Sequence, residues 1–89
     1  MNAMNENNQE QRKAELNIRR LERKLINRVK EVCIKEGFHK VRLQLEYLEN
    51  NQTPLPYPDL TLGQTVSAWQ TGINKAKEKL VLDKEWGAT

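Results

Sequence analysis

The sequence predicts an all-α protein, a small three-helix arrangement in which two long amphipathic helices are joined through a Pro-rich connection. Three observations predict it. From about Gln9 to Glu36 no Pro or Gly interrupts a run dominated by Ala, Leu, Glu, Lys, Arg and Gln, most of them good helix formers. Leu62, Val66, Trp69, Ile73, Ala76 and Leu80 recur at spacings of 4, 3, 4, 3 and 4, the pattern of a heptad seam. Prolines at 54, 56 and 58 exclude helix between these regions, because Pro lacks the N–H that a helix needs and pushes the residue before it toward an extended conformation.

Taken in order, residues 1–8 carry Asn, Glu and Gln with almost nothing to bury and are expected to form a disordered tail. The first helix follows and stops at Gly37. Ala14, Ile18, Leu21, Leu25, Val29 and Val32 share one stripe at 100° per residue, widened by Ile26 and Cys33. Glu15 and Glu22 land at its edge, where a carboxylate can pair with a base on a neighbouring helix or reach water.

The middle segment supports two readings. Val41, Leu43, Leu45 and Tyr47 alternate with polar residues as in a half-buried strand, whereas Phe38, Val41, Leu45 and Leu48 make a helical stripe. Helix is favoured because Leu, Gln, Glu, Arg and Lys prefer it and only Val41 is β-branched. The alternative, a strand at 41–47, would make the fold α+β. In the Pro-rich connection Leu55 and Tyr57 alternate with the prolines, so they can strap the core or face outward. Thr61 with Gln64 forms a capping-box pattern that opens the third helix. Gly72 inside that helix costs about 1 kcal/mol of helix stability, which points to a close helix contact. After Leu82 the periodicity fades, and Trp86 folds back or stays exposed.

Eighty-nine residues make one helical domain over 9–86, since half that length cannot enclose a core of its own. So small a core gains readily from pairing with a partner, which keeps a homodimer in view. A single cysteine, Cys33, rules out an internal disulfide and favours a reducing compartment. The polar N-terminus lacks a signal-peptide pattern, and no run of about 18 apolar residues could span a bilayer. A cytoplasmic location is the expectation, with no membrane partner.

Catalytic chemistry has a thin supply. One His (His39), one Cys (Cys33) and one Ser (Ser67) do not compose a nucleophile, a base and an orienting group by spacing alone. Cys33 beside the apolar stripe reads as a buried, inert thiol. A zinc site needs about four ligands. Glycines at 37, 63, 72 and 87 form no phosphate-binding loop. The expectation is therefore a protein that is not an enzyme, with no catalytic residues, metal, cofactor or small-molecule substrate.

What remains is charge. The net excess is only +3, yet between Arg12 and Lys30 there are eight bases and two acids. Arg12, Arg19, Arg23 and Lys30 form one row, and Lys13, Arg20, Lys24 and Arg28 another, both away from the apolar stripe. Bases on one side of a helix can follow a phosphate backbone and gain from counterion release. Five of the eight are arginines, whose guanidinium groups suit phosphate or carboxylate. Solubility alone also places such residues on a helix.

Two short strings carry family resemblances. Val66-Ser67-Ala68-Trp69-Gln70-Thr71-Gly72 resembles the end of the recognition helix in repressors of the Cro type. That family has another helix immediately before, where this chain has its prolines, and Trp69 is better explained as a core residue of the seam. Gly37-Phe38-His39-Lys40-Val41, with Leu62-Gly63 and Val66, is similar to steps of the helicase-associated domain, a small helical module that contacts nucleic acid. Thr65 and Gln70 depart from its pattern, so no site is carried over.

The sequence thus points to a nucleic-acid or nucleoprotein-binding module that uses Arg12, Arg19, Arg20, Arg23, Lys24 and Arg28. The alternative is a protein-interaction module meeting an acidic protein surface: a homodimer, an assembly subunit or a phage-type small inhibitor of a host protein.

Overall fold

The computed structural model describes the backbone of residues 2–87 and the side chains of residues 9–81. Three helices follow one another, α1 (Asn2–Glu36), α2 (Phe38–Glu49) and α3 (Leu62–Gly87), and no strand occurs among the described residues. The fold is all-α, and the segment 41–47 is helical.

α1 begins at Asn2 and not at about Gln9 as the composition suggested. Nothing in 2–8 breaks a helix, and extending an existing one adds a hydrogen bond for each residue fixed. Helical backbone therefore covers the segment expected to be a disordered tail, whose side chains lie outside the described residues, as does the side chain of Trp86. At about 1.5 Å per residue α1 is about 52 Å long, which accounts for most of the 61 Å long axis of the molecule. The radius of gyration, 16.9 Å, exceeds the ~12 Å expected of a compact domain of this length.

The break after α1 belongs to Gly37. Its N–H donates to the Cys33 carbonyl at 3.0 Å, completing the last turn. Its φ of 103° and ψ of 155° then turn the chain into α2, a conformation open to Gly and costly to any residue with a Cβ. α2 ends in a Schellman motif that uses Asn in place of Gly. Asn51 is left-handed at φ 58°, its N–H donates to the Leu48 carbonyl at 3.1 Å, and the Gln52 N–H donates to the Tyr47 carbonyl at 3.0 Å.

The Pro-rich connection divides its apolar residues. Tyr57 packs half-buried against the core, while Leu55 faces outward. Leu60 does most to anchor the strap, being almost wholly buried, and its N–H donates to the Tyr57 carbonyl at 3.2 Å. α3 then opens with a complete capping box: the Thr61 N–H donates to Gln64 Oε1 at 2.9 Å and the Gln64 N–H donates to Thr61 Oγ1 at 3.1 Å. Two orphan amides at the helix start are satisfied in this way.

α1 and α3 form the most extensive helix pair, with α2 touching both. The two long helices run in the same direction: Asp59, just before α3, accepts from Asn17 Nδ2 at 3.4 Å, and further on Gly72 meets Ile26 and Val29. α2 and the strap therefore make the return journey between them. The core joins Leu25, Val29 and Cys33 of α1, Val41, Leu45 and Leu48 of α2, Leu60, and Ala68, Ile73 and Ala76 of α3.

The inner face of α3 keeps Ile73 and Ala76 of the heptad seam buried but shifts from its larger members toward a row of small residues. Thr65, Ala68, Gly72 and Ala76 are buried, whereas Leu62, Val66 and Trp69 are half-buried and Leu80 is exposed. Small side chains let two helix backbones approach, and close approach buries more of their neighbours than a seam of large residues could at a greater distance. Thr65 joins this row at no polar cost, since its Oγ1 donates to the Thr61 carbonyl at 2.8 Å.

At the other end, Ala14, the first member of the expected inner stripe of α1, has no partner among the described residues, whereas Ile18 and Leu21 pack against the core. Every described residue from Gln9 to Asn17 is exposed, Ala14 among them. α3 starts level with Asn17, so the described part of α1 before it has no helix packed beside it. Of the two stripe-edge carboxylates, Glu15 is exposed and Glu22 half-buried, and the interhelical ion pair offered for them does not form among the described residues.

Candidate nucleic-acid interface

The six residues singled out for binding all lie on α1, and all are exposed: Arg12, Arg19, Arg20, Arg23, Lys24 and Arg28. At 100° per residue, Arg12, Arg19 and Arg23 fall within about 40° of one another, and Arg20, Lys24 and Arg28 occupy the next ~80°. The buried residues Leu25, Val29 and Cys33 centre on the opposite side. Packing of α2 and α3 on that side leaves the bases facing outward. Lys13 is exposed with them, but Lys30 is half-buried and belongs less to this surface. From Arg12 to Lys30 the rows extend about 27 Å along the helix axis.

An exposed row of bases is available to a partner only if the protein's own carboxylates do not hold it. Among the described residues one salt bridge forms, Lys40 Nζ to Glu36 Oε1 at 3.1 Å, between α2 and the end of α1. None of the six candidates is in it. The first helix is also continuous from Asn2 to Glu36, so both rows share one rigid rod.

Beside the second row lies a feature that the pattern of charges did not reveal. An open cavity of about 410 Å³ sits among α1, α2, the strap and α3, with Leu25, Val29, Val32 and Val41 as apolar wall, Pro56, Tyr57 and Trp69 as the ring-bearing wall, and Arg28, Glu36, Lys40 and Gln44 around it. The indole Nε1 of Trp69 is buried and has no hydrogen-bond partner among the described residues. Tyr57 and Trp69 were each legible as apolar positions in the sequence, and Pro56 as part of the Pro-rich connection. Their convergence was not, because it depends on the strap folding back over α1.

The residues weighed for catalysis differ in burial. Cys33 is only 1% exposed, and burial pushes its thiol pKa above the ordinary 9.0 against a smaller opposing effect of the Arg42 charge. His39 and Ser67 are exposed. No cluster of three or more His, Cys, Asp or Glu that could hold a metal occurs among the described residues. No described helix is long and apolar enough to cross a membrane.

The chain matches no protein-family model, no curated protein and no solved structure. Likeness to Cro-type repressors and to the helicase-associated domain thus extends no further than the short strings that carry it. Within the first of these strings, Trp69 packs against the core and Gly72 against α1, so packing accounts for both.

Proposed function

We propose that this chain is a small non-catalytic binding protein whose α1 carries a track for the phosphate backbone of nucleic acid, formed by Arg12, Arg19, Arg20, Arg23, Lys24 and Arg28. One observation supports it above the others: all six are exposed on a single unbroken helix, and none is engaged by a carboxylate among the described residues. A guanidinium row held clear of internal partners has its donors free for phosphate oxygens. The test is affinity against salt. Binding of a labelled oligonucleotide should weaken steeply, with log K falling by about 0.7–0.9 per phosphate neutralised for each decade of salt. Absence of binding at low salt removes this reading.

A second reading has its own support. The first part of α1 projects beyond α3 with every described residue exposed, Ala14 and Leu16 among them, Leu16 at 63% exposure. Apolar side chains on an unpaired rod suit a protein partner or a second copy of the chain. Sedimentation equilibrium separates the two: a dimer whose mass persists at high salt supports association through these apolar residues, and a strict monomer counts against the homodimer.

A further inference from the structure

Building on the reading of α1 as a phosphate track, we propose that the nucleic acid is single-stranded and that one of its bases enters the cavity between Tyr57 and Trp69. Three observations meet at this place. Arg28 belongs to the second basic row and also lines the cavity, so a backbone following Arg20, Lys24 and Arg28 is led to its mouth. The wall there is made of Pro56, Tyr57 and Trp69, flat or ring-bearing side chains on which a base can stack whatever its identity. The volume of about 410 Å³ lies within the ~300–1,000 Å³ typical of small-molecule sites.

The charge around the cavity agrees. Glu36 would repel a phosphate, but Lys40 neutralises it at 3.1 Å, which leaves Arg28 as the unpaired charge at this site among the described residues. A duplex keeps its bases stacked inside and can offer the cavity nothing, whereas a single strand presents them unstacked. The base would sit against apolar side chains while its phosphates stay outside on the arginines. Specificity for one base is not expected, since stacking supplies most of the contact.

The experiment uses the full chain with a labelled oligothymidylate and a duplex of the same length at low salt. Single strand should bind more tightly, and Tyr57→Ala should weaken it by about 5- to 150-fold, the loss of one stacked base, with duplex affinity unchanged. Tyr57→Phe should keep single-strand affinity. Because Tyr57 also packs on the core, a second measurement guards against a folding defect: with Trp86→Phe leaving Trp69 as the sole indole, single strand should quench its emission and duplex should not. Thymidine monophosphate serves as a third arm, and saturating quenching by it as tight as by the strand would assign the cavity to a free nucleotide and overturn the strand reading. Salt-dependent duplex binding with no quenching by single strand overturns this inference and leaves the α1 track standing. No binding of either nucleic acid removes both.

Discussion

A Cβ added to Gly72 would come within 2.7 Å of the Val29 Cβ and 2.8 Å of the Ile26 carbonyl oxygen. α1 and α3 therefore approach at a point where one hydrogen is all that a side chain can be. Neither atom can rotate away: the Ile26 oxygen is backbone and the Val29 Cβ is bonded directly to the backbone, so both move only with the helix.

Gly72→Ala follows directly as a prediction. On an open helix surface the substitution would stabilise by about 1 kcal/mol through propensity. Here overpacking, about 1–3 kcal/mol, opposes it and wins, because one of the colliding atoms is main chain. The expected result is a fall in the thermal midpoint of several degrees, at about 4–8 °C per kcal/mol for a domain of this size. Adding Val29→Ala should recover part of the loss relative to the sum of the single changes, as expected of two residues in contact. A midpoint raised by Gly72→Ala would refute the close approach.

The reciprocal bonds of Thr61 and Gln64 make the start of α3 sensitive to one hydroxyl. Thr61→Ala should cost about 1 kcal/mol, read as a lower urea midpoint with an unchanged slope. Thr61→Ser keeps the acceptor and should stay within about 0.5 kcal/mol of the unaltered chain. Equal midpoints for all three chains would mean that the cap contributes nothing.

Cys33 links stability to alkaline pH. Burial raises its folded pKa above 9.0, so from that value upward the folded state holds a proton that the unfolded state has lost. Stability must then fall as pH rises past about 9, where the unfolded thiol begins to ionise, and this thiol adds no pH dependence well below it. Comparing the urea midpoint of the unaltered chain with that of Cys33→Ala from pH 7 to 10 isolates this contribution from that of the lysines. The alanine variant should be less stable at neutral pH for want of packing, and the gap should narrow above pH 9. A gap that stays constant would show that the thiol's environment is not as described.

Charge removal on α1 should act on salt dependence more than on sequence preference. Arg19→Ala and Arg23→Ala should each weaken oligonucleotide binding and lower the salt slope by about 1, while Arg42→Ala on α2, exposed but off the track, should leave the slope unchanged. Lysine in place of either arginine keeps the charge and should preserve most of the slope. If Arg42→Ala lowers the slope as much as Arg19→Ala, the bound surface is not the α1 face.

Local chemistry carried most of the fold into view. Gly37 as a stop, the Thr61 and Gln64 box and the helix over 41–47 each depend on a few neighbouring residues, and each is present in the structure; Gly72 inside a helix marked a close contact without showing which helix it meets. The outward position of the basic rows was legible for the same reason, since a helix fixes which side chains share a face. Where α1 loses its partner was not legible: Ala14 and Leu16 belong to a helix with good propensity, but whether α3 reaches them depends on how the Pro-rich strap returns.

By itself, then, the chain determined its helices, the stop of α1 at Gly37, the start of α3 at Thr61 and the side of α1 on which arginine gathers, because those properties follow from local backbone chemistry and a period of 3.6. Tertiary structure decided three things: that Gly72 meets α1 with Ala68 and Ala76 buried in the same row, that Leu60 anchors the strap, and that Tyr57 and Trp69 line one open cavity together with Arg28. Those outcomes depend on distances between residues far apart in sequence. Side-chain volume and closeness of approach set such distances, and neither has a period that a linear pattern can display.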